Sequence, residues 1–255
     1  MLLTFDHGPI RELRLNRPPA NALSRELIVA LREAIQAGLQ NGSRALVLSG
    51  APGRFSGGLD VPLLLGYDQA SIAALWREFY ALLKDLAGSP IPIAAAITGH
   101  APAGGTVLTL FCDWRVMADG DFKIGLNEVQ VGLVLPPVIL AALRRLVGPR
   151  QAERLAVGGL LISPQEALGV GLVDELAPQD RVIDRALHWC HTLLALPAEA
   201  MTATRREARA DLVAYFEQNV EPELQGVTAS WWAPETQSAL HELTTKLGKK
   251  TVVTS

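Results

Sequence analysis

The chain has little cysteine, no surplus of positive charge and no long apolar run. Two cysteines in 255 residues, Cys112 and Cys190, leave no disulfide framework and fit a reducing, cytoplasmic setting. Lys and Arg total 23 against 26 Asp and Glu, a formal net charge of −3, and the pI is near 6.0. Nucleic-acid binding needs a basic surface, so the balance argues against nucleic acid as the main partner, although a few lysines could still grip one small phosphorylated ligand. The longest apolar run, VGLVLPPVILAAL at 131–143, is too short to cross a bilayer and carries Pro136-Pro137 in its middle, so no membrane partner is expected. The N-terminal MLLTFDHGPIREL lacks the basic and apolar regions of a signal peptide, and the final VVTS matches no address signal. A composition of 49% hydrophobic and 19% charged residues sets disorder aside. What is left is a folded chain, long enough for one large domain or one domain with an appendage.

What is there alternates strand and helix. Residues 2–6 and 10–15 read as a strand pair around Gly8-Pro9, and Ser24 is placed to cap a helix reaching residue 40, with Leu27, Ile28, Leu31, Ala34, Ile35 and Leu39 at helical spacing. RALVLSG (44–50) reads as a buried strand and APGRFSGG as a glycine loop. A helix is expected over 69–87, ended by Pro90 and Pro92 before a strand IPIAAAIT (91–98). Strands follow at WRVMA (114–118) and DFKI (121–124). The alternation predicts an α/β core with parallel pairings. From about 137 the pattern is mostly helical. Ser163-Pro164-Gln165-Glu166 has the form of a capping box, LVDEL (172–176) is the last strand, and helices are expected over 181–196, 198–216 and 234–248. A change of character at Leu196-Pro197 divides residues 1–196 from a helical 197–255. No internal repeat stands out.

Three pieces can carry chemistry: Phe55-Ser56-Gly57-Gly58-Leu59-Asp60, Pro102-Ala103-Gly104-Gly105, and Gly125-Leu126-Asn127-Glu128. Each glycine loop follows a strand expected to be central, and loops at the ends of neighbouring strands converge on one side of a sheet. Two such loops can each offer a backbone N–H to one carbonyl oxygen. Gly104 and Gly105 open an apolar helix whose first turn holds no acid, base or nucleophile, and such a mouth suits an oxyanion. A backbone donor aimed at developing charge is worth roughly 10²–10³ in rate.

These motifs, with NRPPANALSREL (16–27), RFSGGLD, GHAPAGG and IGLNEVQVGL, resemble the crotonase (enoyl-CoA hydratase/isomerase) superfamily over nearly the whole chain. The resemblance implies a spiral of ββα units with a C-terminal helical region that builds trimers or dimers of trimers. It implies acyl-CoA substrates, with coenzyme A as part of the substrate and no separate cofactor or metal. Position by position, it assigns the oxyanion N–H groups to Leu59 and Gly104 and the acid–base role to Glu128. Ala20 and Ala22 become backbone contacts to the CoA moiety, and Ser56, Gly57, Gly58, Asp60, Pro102, Gly105, Val107, Val131 and Pro136 substrate-binding positions. Hydratases of the family usually have a second glutamate in the helix of the second glycine loop, where this chain has Val107. IGLNE, APAGG and PPANALS look most like the Δ3,Δ2-enoyl-CoA isomerase branch. The chemistry agrees: hydration suits two carboxyls, whereas moving a double bond needs one base that takes a proton from C2 and returns it at C4. Val129, Val131, Leu133 and Val134 are expected to surround that carboxyl and raise its pKa.

Plainer roles compete for the other residues. Glu128 alone would be a surface glutamate. Asp60 reads better as a helix cap than as a general acid, Asp113 and Asp119 as structural, and Ser56 lies outside any GxSxG elbow. His188, Cys190 and His191 could suggest a metal, but only His188 and His191 share a helix face and no third ligand is evident. His100 could line the pocket or simply pack. Trp231-Trp232 is expected to pack the tail against the body or a neighbouring subunit. Lys246, Lys249 and Lys250 could reach CoA phosphates, with a solvated basic tail the plainer reading. Two rival functions remain: a hydratase or another reaction of the crotonase family with a second acid, for which Glu78 is a candidate, and a non-catalytic acyl-CoA- or RNA-binding scaffold.

Overall fold

A computed structural model describes residues 1–218 and 220–253, with side chains to 246. β1 (Leu2–His7) and β2 (Ile10–Leu15) form the expected antiparallel pair. Ser24 caps α1 (Arg25–Gln40), its hydroxyl accepting from Leu27 N–H, and Leu27, Ile28, Leu31 and Ile35 bury one face.

Three turns of strand, strand and helix follow. The first is β3 (Ala45–Ser49), β4 (Gly53–Arg54), then α2 (Val61–Leu64) and α3 (Gln69–Gly88). The second is β5 (Ile93–Ile97), β6 (Gly99–Pro102) and α4 (Gly104–Leu110). The third is β7 (Trp114–Ala118), β8 (Ile124–Gly125), a one-turn 3-10 helix over Glu128–Val131, and α5 (Pro137–Val157), which is broken at Gly148-Pro149. The first strand of each turn enters a large sheet and the second a small one. A structural repeat therefore exists where the sequence shows none, because each turn fills its strands and loops with different residues.

The rest of the chain is α6 (Pro164–Gly169), β9 (Glu175–Ala177), α7 (Val182–Leu194), α8 (Ala198–Ala208), α9 (Ala210–Gln218), α10 (Val220–Trp231) and α11 (Pro234–Val253). The large sheet runs β1-β2-β3-β5-β7-β9, parallel from β2 onward, as the alternation predicted. One face carries small side chains, Ala45, Ala94, Ala96 and Ala118, which admit α7 closely through Val182, Ala186 and Cys190. The other face belongs to the main core, with α1 and α3. Leu212, Phe216, Leu224, Val227, Trp231 and Leu240 of the C-terminal helices lie in that same core.

The small sheet, β4-β6-β8, is parallel throughout. Of the strand expected at 121–124 only its end is strand, as Ile124–Gly125. The strand expected at 172–176 is Glu175–Ala177, after a tight turn. The helix expected over 198–216 is broken at Arg209. Arg209 is buried, and its guanidinium reaches the Ala87 and Phe111 carbonyls and Asp113, a set of bonds that a continuous exposed helix could not offer. The capping box at Ser163 and Glu166 is present in both directions. Among the described residues no helix is long and apolar enough to cross a membrane.

Candidate active site

The small sheet explains why three distant segments meet. Its strands are parallel and adjacent, so their carboxyl ends lie along one edge, where ligands of open α/β sheets bind. Leu59 follows β4, Gly104 follows the central β6, and Glu128 follows β8.

The first loop is braced from the segment Arg17–Ser24. Gly57 N–H donates to the Ala20 carbonyl (2.8 Å), Leu23 N–H to the Gly58 carbonyl (2.8 Å) and Asp60 N–H to the Leu23 carbonyl (3.1 Å). Asn21 is the hub. Its amide nitrogen donates to the Phe55 carbonyl and its own carbonyl accepts from the Ser56 hydroxyl at 2.8 Å. Ser56 Oγ also accepts from Gly58 N–H at 3.3 Å. Asp60 caps α2 by accepting from Leu63 N–H and pairs with Arg17 at 2.6 Å. These bonds occupy the loop's polar groups one after another, yet the Leu59 N–H has no acceptor among the described residues.

The second loop is stitched to β8. Ala101 and Ala103 N–H groups donate to the Lys123 and Gly125 carbonyls, and Ala103 takes φ +48°, a strained value for a residue with a side chain. The Thr106 hydroxyl, fully buried, donates to the Ala101 carbonyl at 2.5 Å and accepts from Gly125 N–H at 2.8 Å. The Gly104 N–H, at the mouth of α4, likewise has no acceptor among the described residues. The two loops touch. A Cβ on Gly104 would stand 3.2 Å from Gly58 Cα and 3.4 Å from Leu59 N, and one on Gly58, at φ +83°, would stand 3.1 Å from Gly104 N. Both glycines are needed for that approach.

Glu128 opens the 3-10 turn. Its Oε2 is enclosed and has no hydrogen-bond partner, although the residue as a whole is only half-buried. Desolvation pushes its pKa up to about 7, against a smaller opposing pull from its own backbone N–H. In a 3-10 turn residues i and i+3 stack on one face, which puts Val131 under Glu128. Val131 packs against the main core and Leu133 is inside it. Val129 and Val134, expected beside the carboxyl, are exposed instead.

The other expected positions divide. Ala20 and Gly57 are exposed, and Ala22, Leu59 and Pro102 half-buried. Ser56, Gly105, Val107 and Pro136 are buried. Ser56 is a brace, Gly105 abuts the Ser56 carbonyl, and Val107 sits in the main core. Asp60 has both oxygens engaged by protein groups, one as a helix cap and one in an ion pair. His100 turns to Lys123 N–H (3.1 Å) and Phe122. Asp113 is structural, holding Ile93 N–H, Arg205 and Arg209, and Asp119 bonds Gln165. Glu78 is paired with Arg32 at 2.6 Å. Trp231 is fully buried and Trp232 exposed. Lys246 lies 4.0 Å from Glu242, and the side chains of Lys249 and Lys250 lie outside the described residues. Sequence reasoning missed Asn21 and Thr106; Thr106 directly follows Gly104-Gly105, a signal that could have found it, whereas the partners of Asn21, Phe55 and Ser56, lie 34 and 35 residues away in the chain. Among the described residues no three His, Cys, Asp or Glu side chains converge as metal ligands.

Residues 6–231 match the model of the enoyl-CoA hydratase/isomerase family. The chain belongs to that family. It is 34% identical to the mitochondrial enoyl-CoA delta isomerase 1 of Mus musculus, the match covering 98% of this chain and 88% of the relative. It is 37% identical to a probable enoyl-CoA hydratase of Mycobacterium avium over 80% of this chain and 78% of that one. The crystal structure of human mitochondrial delta3-delta2-enoyl-CoA isomerase superposes with a TM-score of 0.93 at 30% identity, covering 98% of both chains. The α/β fold with a helical C-terminal region is thus the fold of this family, and the chain is an acyl-CoA enzyme of it.

Proposed function

We propose that the chain is a Δ3,Δ2-enoyl-CoA isomerase that converts a 3-enoyl-CoA into the trans-2-enoyl-CoA with one carboxyl. The observation that carries this reading is Glu128: its Oε2 is enclosed and unpartnered, on the segment after β8 of the small sheet whose other two strands lead into loops with unused N–H groups. The Glu128 carboxylate takes a proton from C2 of the thioester. The electron pair passes to the thioester oxygen, giving a dienolate whose negative oxygen accepts from Leu59 and Gly104 N–H. The dienolate collapses by taking the same proton back at C4, so atoms and charge balance and Glu128 is regenerated. A pKa near 7 suits a group that must both accept and return a proton. The mouse relative and the human structure, both isomerases by name, support the assignment.

A hydratase is the second reading, favoured by the Mycobacterium avium relative. It needs a second acid, and the candidate Glu78 is held by Arg32. Coenzyme A enters as part of the substrate, so no separate cofactor is invoked. The homotrimer or dimer of trimers, and the cytoplasmic placement, belong to the same proposal. Two buried free thiols, both pushed up to about 12 by desolvation, fit a reducing compartment. Glu128→Gln tests the mechanism: turnover of a 3-enoyl-CoA should fall about 10³-fold with substrate binding retained. Wild-type turnover in that variant would remove the mechanism, and rapid hydration of a 2-enoyl-CoA by the native protein would install the second reading.

A further inference from the structure

The C-terminal helices return to the segment that carries Glu128. Thr236 Oγ1 donates to the Gly132 carbonyl at 2.8 Å, Val134 N–H to Ser230 Oγ at 3.4 Å, and Val138 N–H to Glu223 Oε2 at 3.3 Å. Thr236 lies in the first turn of α11 and is 1% exposed. Gly132 closes the 3-10 turn at φ +73°, its N–H bonding back to the Val129 carbonyl, while Leu133 N–H bonds to the Glu128 carbonyl at 3.1 Å. A Cβ on Gly132 would stand 2.9 Å from Thr236 Cα and 3.2 Å from Thr236 N, so α11 lies directly on the turn. Leu240, fully buried one turn further along, anchors that contact. From elsewhere, Gln130 Nε2 donates to the Gly159 carbonyl at 2.9 Å.

A single 3-10 turn has poor hydrogen-bond geometry and little cohesion of its own. The direction of its first side chain is therefore set by what holds its ends. Glu128 Oε2 has no partner of its own, so nothing bonded to that oxygen aims it. The reaction asks one carboxyl to serve two carbons of the same substrate, and a misplacement of about 1 Å can cost about 10²-fold in rate.

We propose that Thr236 is a positioning residue: its hydroxyl, through the Gly132 carbonyl, fixes the 3-10 turn so that the Glu128 carboxyl stays over the reacting carbons. This rests on Glu128 being the proton carrier. On this reading the helical tail of each chain completes its own acid–base site, whatever else the tail packs against.

The test compares Thr236→Val, Thr236→Ala and Thr236→Ser with Glu128→Gln on a 3-enoyl-CoA. kcat and KM are determined separately at a temperature where circular dichroism shows every variant folded. Both variants without a hydroxyl should lose about 10-fold in kcat with KM within about threefold of wild type, and Thr236→Ser should stay within about twofold. The Ala variant guards against a packing failure peculiar to Val. The proposal is overturned if kcat is unchanged in Val and Ala, if Ser falls as far as they do, if the loss is in KM alone, or if neither hydroxyl-free variant folds. If Glu128→Gln is inactive while the Thr236 variants are normal, only the positioning role is lost. If Glu128→Gln keeps its activity, the assignment of Glu128 fails and the positioning role fails with it.

Discussion

Glu12 and Glu128 are two carboxyls shut away from water, and their surroundings drive them in opposite directions. Glu12, on β2, is 1% exposed. Its Oε1 accepts from the Ser49 hydroxyl at 2.6 Å and from Arg14 Nε at 2.7 Å, and its Oε2 lies 3.1 Å from His7 Nε2. Burial raises its pKa, but the bonds from Arg14, Ser49 and His7 together outweigh that and hold it below the ordinary glutamate value. Glu128 is half-buried as a residue, but its enclosed Oε2 meets no cation and no donor, and its pKa ends at about 7. Burial alone therefore does not decide what a carboxyl does. Where donors fill its lone pairs it becomes a fixed anion that joins strands; with one oxygen left without a donor, its pKa rises toward neutral pH, as the proposed proton carrier requires.

The strongest way to break this contrast is at Glu128. Besides the loss of turnover, Glu128→Gln should change stability with a definite sign. A folded-state pKa raised from 4.5 to about 7 means that the folded protein binds the proton more tightly than the unfolded chain. Stability is then full below about pH 4.5 and declines as pH rises through 7. The Gln variant lacks this decline, so it should exceed wild type by about 1–3 kcal/mol at pH 8 and match it at pH 4. Urea unfolding at the two pH values checks this, and a Gln variant less stable at pH 8 would contradict it. Activity should show the same group, with kcat/KM of the native protein rising through about pH 7.

Gly104→Ala sharpens the contrast from the other side, by disturbing the amides and leaving the carboxyl alone. The new Cβ would crowd Leu23, Gly58 and the Leu59 N–H. Turnover should fall about 10²-fold, while the midpoint of the pH profile stays near 7. A midpoint shifted along with the rate would mean that the loops, and not desolvation, set the Glu128 pKa.

Glu128 stands out in the sequence as a candidate and Glu12 does not, for physical reasons. Glu128 sits in a short motif, IGLNE, downstream of two glycine loops, so its neighbours in the chain announce it. Glu12 takes its partner Ser49 from another strand, 37 residues away, and within IRELRL it reads as one polar residue among several. The same division holds for the fold. α1, α3, β7 and the capping box at Ser163 follow local periodicity and were legible. The small sheet was not, because strands such as Gly53–Arg54 and Ile124–Gly125 are too short to carry a period and are rich in glycine. α10 was missed because Pro222 and Gly226 lower its helix propensity; tertiary burial of Leu224, Val227 and Trp231 overrides that. The exposed Val129 and Val134 show the limit of reading an apolar run as a lining: Val129 lies within the 3-10 turn and Val134 beyond it, and both are exposed.

The smaller effects lie at Glu12, where the contrast predicts stability changes and no change in rate. Glu12→Gln should cost about 2 kcal/mol at pH 7, the loss of charged hydrogen bonds with Arg14 left half-buried. Because the folded pKa lies below 4.5, that contribution is present above this value and is lost as pH falls through the folded pKa, so wild type and variant should converge in acid. Turnover should stay within about twofold, since uniform loss of a distant bond does not reach the transition state. His7→Ala is the smallest step. His7 is a third exposed and supplies only one of three partners, so its removal should cost about 0.5 kcal/mol. In the Glu12→Gln background the same substitution should cost nothing further if the His7 contribution runs through the carboxylate. A full additive loss in that double variant would show that His7 stabilises the hairpin by some other contact, and that Glu12 is held by Arg14 and Ser49 alone.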